Sequence, residues 1–202
     1  MVNDMNLRID QKMESRQKII EAAATRIRTE GVEGASVAKV MSDAGLTHGG
    51  FYAHFKNKSD LLKAALESSL VETRKLWISN NNKMPWIRRV AKLARRYLTI
   101  PHRDTLEKSC SLAALVTDAA RGGQELKESY QHELHKSLSA ICGENFNNAA
   151  SNQQEEALAF MALMIGGLNL SRAVADEELS KQILKACKKV SGRMALPNEN
   201  QD

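Results

Sequence analysis

Aromatic residues make up only 4% of this 202-residue chain, and it has three prolines and three cysteines. Cys110, Cys142 and Cys187 are odd in number and far apart, which excludes a disulfide framework and a cysteine zinc site. They read most simply as small buried apolar groups. No apolar run approaches the roughly 20 residues that cross a bilayer, so no membrane partner is expected. Met1 to Asp10 is polar and lacks the apolar centre of a signal peptide, which predicts a cytoplasmic protein. Catalytic sets are missing as well. A metalloenzyme built in a helical bundle needs paired carboxylates and Glu-x-x-His motifs on several helices, and these are absent. No Ser/His/Asp or Cys/His set can be assembled either, so the expectation is a non-enzyme with no cofactor.

What the chain does contain is alanine, leucine, lysine and glutamate, with few β-branched runs, and this composition predicts an all-α fold. Met1 to Gln11 reads as a flexible tail. A first helix is expected from about Met13 to Glu30, with Ile19, Ile20, Ala23 and Ile27 turned inward and Gly31 and Gly34 closing it. Short helices follow at 36–44 and 47–54, then a long helix from Ser59 to about Ser79 that Asn80, Asn81 and Asn82 stop. Pro85 suits the first turn of a helix from Trp86 to Leu98. Further helices are expected at 104–121, 124–142, 153–175 and 177–190. The long helix joins an amino-terminal head, residues 1–58, to a larger helical body, residues 59–202.

The most specific stretch is Gly45-Leu46-Thr47-His48-Gly49-Gly50-Phe51-Tyr52-Ala53-His54-Phe55-Lys56-Asn57-Lys58. Gly45 can take the positive φ that ends a helix, and Thr47 can cap the next one. Phe51 and Phe55 lie four apart and pack inward, leaving Tyr52 and His54 to project elsewhere. Two short helices joined by a tight turn make a helix-turn-helix, whose second helix offers its amino-terminal end to base edges in the major groove.

Ile19-Ile20-Glu21-Ala22-Ala23-Ala24, Glu30-Gly31, Ser36-Val37 to Gly45, and Phe51 to Lys58 closely resemble the DNA-binding domain of TetR/AcrR transcriptional regulators. Ser109-Cys110-Ser111-Leu112-Ala113-Ala114-Leu115 resembles a motif of one subgroup, with Ser109 where a glycine is usual. The resemblance implies a three-helix DNA-binding head and a helical body that dimerises and holds a small-molecule effector. By that likeness His48, Gly49 and Gly50 sit where bases are read. Tyr52 and Lys58 match phosphate contacts, and Thr47 and Lys56 are further backbone contacts. A ligand-responsive repressor is implied, binding a palindromic double-stranded operator as a homodimer. The same comparison makes Trp77, Trp86, Val90, Leu93, Tyr97, Leu112, Leu115 and Met161 the candidates for the effector pocket, although each alone could be core.

Other features stay open at this level. Gly49-Gly50 either brings the backbone close to bases or is tolerated in a short helix. Residues 1–60 hold nine Lys/Arg against eight Asp/Glu, so the head's positive charge is placed rather than massed. Residues 61–103 hold ten against two. Within that segment Arg88, Lys92, Arg95 and Arg96 form a basic face beside Arg89, for solvent, an anionic effector or extra phosphate contact. Cys110, with Lys108 nearby, is either a buried thiol or a redox or electrophile sensor. Glu128, His132 and His135 share a helix side and read as a solvent-facing trio rather than half a metal site. The last two helices are rich in apolar residues, and around much of the first of them these are spread too widely for one stripe, which calls for cover by its own body and by a second subunit.

Overall fold

The computed structural model describes residues 2–78 and 84–193, with side chains over 5–75 and 84–193. The described residues form α-helices and short 3-10 turns, with no strand among them. The α-helices are α1 (Val2–Gly34), α2 (Val37–Asp43), α3 (Lys58–Ile78), α4 (Trp86–Tyr97), α5 (Ile100–Asp104), α6 (Ser111–Arg121), α7 (Gln124–Cys142), α8 (Ser151–Ala173) and α9 (Glu177–Arg193). The Asn80-Asn81-Asn82 stop and the polar carboxy-terminal tail lie outside the described residues, as do Lys83 and the side chain of Trp77.

Two segments depart from the sequence expectation. The expected tail is helical from Val2, because nothing before Gly31 breaks a helix: the stretch has no proline or glycine. Its Met5, Leu7, Ile9 and Met13 stay exposed, so it lacks the inward stripe that marks a helix in sequence. The single helix expected over 104–121 is interrupted. Pro101 starts the short α5 rather than ending a segment, with Thr99 Oγ1 accepting the His102 N–H at 3.2 Å. A 3-10 turn, Leu106–Lys108, and extended Ser109 then separate it from α6.

Head and body share one continuous apolar core. Along α3, Leu61, Leu62, Ala65 and Leu66 are buried toward the head and Leu70 toward the body. Helix α1 packs on α3 and also on α6 of the body. Where α1 meets α6 it kinks at Gly31 (φ 71°), and a Cβ there would lie 3.1 Å from Asp118 Oδ2. Only glycine meets both demands, the left-handed backbone and the close approach.

The basic stretch of α4 divides. Arg88, Arg95 and Arg96 are exposed, whereas Arg89, expected beside the solvated face, is buried. Its guanidinium donates to the carbonyls of Ile141 and Cys142 at the end of α7 and to Met84 O. These are the last carbonyls of a helix, which have no partner within it and carry the negative end of its dipole.

A second polar node fixes the α5–α6 corner. His102 Nε2 lies 3.2 Å from the Cys110 backbone N–H, which can only donate. Nδ1 therefore carries the ring proton and donates to Tyr97 O at 2.6 Å. Arg172 of α8 closes the corner by donating to His102 O (2.7 Å), Arg103 O (2.9 Å) and Ser109 Oγ (2.6 Å). Ser109 thus supplies an anchor for α8 at the position where the subgroup motif usually has glycine.

Burial holds the His102 imidazole neutral, with its pKa pushed down to about 4. The unfolded chain takes up this proton near pH 6.5, so the contribution of His102 is fully present above that pH and is lost as pH falls toward 4. The shift corresponds to on the order of 3 kcal/mol. Denaturant unfolding between pH 7.5 and pH 4 should show this slope in the wild type and a flatter one in His102→Gln. Parallel pH profiles would show that His102 does not carry it.

Candidate nucleic-acid interface

The head places its polar tip on a buried aromatic base. Ser36 Oγ accepts the Lys39 N–H at 3.4 Å and caps α2. Gly45 ends the turn after α2 with φ 69°, as its position in sequence requires. The segment that follows, His48–Ala53, is a 3-10 helix rather than the expected α-helix. Its bonds run three residues back, from Gly50 N to Thr47 O (3.0 Å) and from His54 N to Phe51 O (2.9 Å). Two adjacent glycines weaken an α-helix, and so short a piece closes as readily in the tighter form. Thr47 stands at the cap position, but its side chain makes no capping bond.

Phe51 and Phe55 are buried with stacked rings, centroids 5.8 Å apart, and Tyr52 stands edge-on to Phe51 at 5.2 Å. Tyr52 itself is 69% exposed. Thr47, His48, Gly49 and Lys56 are also exposed, and Gly50 and Lys58 are half-buried. All seven residues of the predicted DNA-facing set are therefore at least partly open to solvent. Nothing lies within 4 Å of a Cβ built on Gly49, and one on Gly50 would make only ordinary contacts with Met41 and Thr47. The protein's own packing requires neither glycine. Asn57 and Asp60 cap the start of α3 reciprocally: Asn57 Oδ1 accepts the Asp60 N–H at 2.8 Å, and Asp60 Oδ2 accepts the Lys56 N–H at 3.2 Å.

Charge partners that sequence reading missed hold this tip in place. Arg26 of α1 grips both carboxylate oxygens of Asp43 at the end of α2 and also reaches Glu30. That bidentate contact holds the Asp43 carboxyl below its usual range, chiefly through the hydrogen bond. Arg16 lies over the Phe55 ring, 4.9 Å from its centroid. Burial, followed by the charges of Lys12 and Arg16, lowers the pKa of His54. Lys12 and Arg16 lie at the start of the expected first helix, ahead of its apolar stripe, so nothing but the fold places them beside the 3-10 segment.

In the body, a cavity of about 50 Å³ opens behind α3. Of the predicted effector residues it brings together Leu93, Tyr97, Leu112 and Met161, and Cys110 joins its wall. Val90 and Leu115 are buried outside it, and Trp86 donates its indole N–H to Glu156. Ser137 and Phe160, which sequence reading missed, also line it, as does Arg74 of the basic segment 61–103. Burial pushes the Tyr97 hydroxyl well above its ordinary pKa. A larger groove of about 620 Å³ runs between the start of α3 and α7, past Lys56, Glu67 and His132. Glu128, His132 and His135 are exposed, and His135 lies edge-on to Phe146. Among the described residues no group of three His, Cys, Asp or Glu is placed to hold a metal ion, and no helix is long and apolar enough to cross a membrane.

The profile of "Bacterial regulatory proteins, tetR family" matches residues 19–65. The regulator TtgR of Pseudomonas putida is 39% identical over 59 residues, and AcrR of Shigella flexneri is 35% identical over 72 residues. These alignments cover 29% and 36% of this chain and only 28% and 34% of the two relatives. Solved structures resemble the fold over nearly its whole length. A TetR transcriptional regulator from Chloroflexus aurantiacus superimposes with a TM-score of 0.70 at 16% identity, covering 91% of this chain and 95% of that one. One from Cytophaga hutchinsonii gives 0.67 at 18% identity, covering 91% and 96%. Sequence carries the likeness in the head, where residues 19–65 match the tetR family model, and architecture carries it in the body, where the fold resembles that of solved TetR-family regulators.

Proposed function

We propose that the chain is a DNA-binding transcriptional repressor that occupies a palindromic operator as a homodimer and leaves it when a small molecule enters the body. Residues 1–58 form the DNA-binding domain and residues 59–202 the effector-binding and dimerisation domain. The partner places its work in the cytoplasm. The observation that carries this reading is the exposed edge of the 3-10 segment, where polar side chains and an open glycine stand on buried Phe51 and Phe55.

Each residue then has a role set by its chemistry. His48 reads a base edge, where its ring nitrogens can donate or accept. Gly49 and Gly50 let the backbone approach the bases. Thr47, Tyr52, Lys56 and Lys58 hold phosphates and fix register without reading sequence. His48→Ala should lose about 1–3 kcal/mol of discrimination at one position of each half-site in selection from random DNA. Lys58→Ala should weaken all sequences alike and lower the slope of log affinity against log salt by about one per half-site. A binding profile that neither substitution changes would refute the interface.

The homodimer is supported by an apolar surface that has no cover among the described residues of one subunit. On α8, Leu158, Ala162, Gly166 and Leu170 follow one another at four-residue spacing, and Leu158 and Leu170 are exposed. Leu179 and Val190 of α9 are exposed as well. At Gly167 a Cβ would lie 2.7 Å from Cys187 Sγ, so α9 approaches α8 closely while the apolar ridge stays outward. Unpartnered apolar faces of this kind are covered by association, and a twofold dimer pairs each with its copy. Leu170→Glu should give a monomer by light scattering with helical content intact, and should lose about tenfold or more in operator affinity because two linked heads become one. A dimer that survives the substitution would place the interface elsewhere.

The cavity behind α3 is the effector site in this reading. A ligand moves the heads only so far as it binds one arrangement of the body better than the other. Cys110 shares the cavity wall, so a thiol-directed effector would reach it by the same route.

A further inference from the structure

From Met5 to Lys18 every side chain of α1 except Ser15 is exposed. At 1.5 Å per residue, about 20 Å of helix therefore precedes the part of α1 that packs into the head. What this stretch shows to solvent is sorted by side. Arg8, Lys12 and Arg16 follow one another at four-residue spacing, and the same row runs on into buried Ile19, Ala23 and Ile27. Asp10 and Glu14 stand two residues on from Arg8 and Lys12, which is about 200° round the helix. On that far side Glu14 pairs with Lys18 at 2.7 Å, and Glu21 accepts from Gln17 at 2.8 Å. A stretch of nearly balanced charge thus has a cationic face on the side that meets the head, with its carboxylates turned away.

Aromatic rings join this row to the recognition segment. Arg16 lies over the Phe55 ring, Phe55 stacks on Phe51, and Phe51 meets Tyr52 edge-on. Lys12 is near enough for its charge to act on His54. The row therefore sits against His54 and Phe55, and Lys56 of the DNA-facing set follows them directly in the chain. From Arg16 the cations continue along α1 to Arg8, a further reach of about 12 Å.

We propose that this face of α1 is a second DNA contact, in which Lys12 and Arg8 hold phosphates of the duplex that the 3-10 segment reads. Contacts of this kind add affinity and fix orientation without reading sequence. The duplex is the occupant that the chemistry favours. It carries one negative charge per roughly 1.7 Å of axis, which suits a row of cations. The row is also continuous with the surface assigned to the operator. A lipid surface fits less well, because a helix that lies on a membrane buries one broad apolar face. Here Leu7 stands two residues from both Met5 and Ile9, hence on the opposite side of the helix. The inference rests on the DNA-binding reading above and extends its interface to a helix outside the helix-turn-helix.

The test uses the full chain and an operator selected from random DNA, with affinity read by anisotropy across a range of salt. Lys12→Gln should lower the slope of log affinity against log salt by about one per half-site, and Lys12→Gln with Arg8→Gln by about two. Lys12→Arg keeps the charge and should keep the wild-type slope. Lys18→Gln removes a cation from the far side and should leave the slope unchanged. All variants should select the same bases from random DNA. An unchanged slope in the double variant, an equal fall in Lys18→Gln, or an altered base preference would each overturn the proposal. Loss of binding to phosphatidylserine vesicles in the double variant, with the DNA slope intact, would give this face to a membrane and overturn it too. A wild-type protein that binds no DNA would remove the DNA-binding reading itself.

Discussion

Everything in this molecule hangs on the double burial of α3. Its first turns lie in the core of the head and its later turns in the core of the body, on one uninterrupted helix. A straight α-helix transmits rotation and translation because its backbone hydrogen bonds resist bending, so the orientation of the tip follows the seating of the body. Helix α1 repeats the arrangement from the other side. It carries the head's apolar stripe and also leans on α6, with Gly31 at its kink against Asp118. The head is therefore braced by two elements rather than suspended from one.

The braces are apolar along their length and polar where they meet other elements. Arg26 ties α2 to α1, Arg89 closes the carboxy-terminal end of α7, and Arg172 with His102 fixes the corner between α5 and α6. Arg89 and Arg172 meet backbone carbonyls and Arg26 meets a carboxylate, which is why these arginines are withdrawn from solvent in a chain with abundant surface charge. Apolar packing decides that the helices associate, and the arginines decide at what angle and in what register they do so.

The sequence made much of this legible, unevenly. The turn of the head could be placed because Gly45 and Asn57 mark backbone events that few other residues support, and the Phe51 and Phe55 spacing fixes which side is inward. The 3-10 geometry could not be read, since the choice between three-residue and four-residue bonds over six positions is settled by packing on Met41 and Phe55. The amino-terminal extension of α1 was illegible for another reason. An exposed helix carries no apolar rhythm, and only the absence of breakers hinted at it. Pro101 admits two readings, helix stop and helix start, and Thr99 decides between them only once its side chain is seen to cap. Arg89 looks like its neighbours in sequence, and only the carbonyls of Ile141 and Cys142 set it apart. The cavity is a property of what neighbouring residues leave unfilled, so Ser137 carried no signal before the helices were assembled, Arg74 was one cation of a basic segment, and Leu93 and Tyr97 looked like ordinary core.

The 3-10 form of the recognition segment also alters the spacing of what it presents. At a rise of about 2.0 Å per residue, the six residues His48–Ala53 extend about 12 Å, where an α-helix of equal length extends about 9 Å. Side chains three apart then eclipse, so Tyr52 stands directly in line with Gly49, and no neighbouring side chain shields the phenol from that direction. The segment offers few groups over a long reach, an alphabet with wide letter spacing. In the DNA-binding role proposed above, its selectivity would be built from distance between contacts more than from their number.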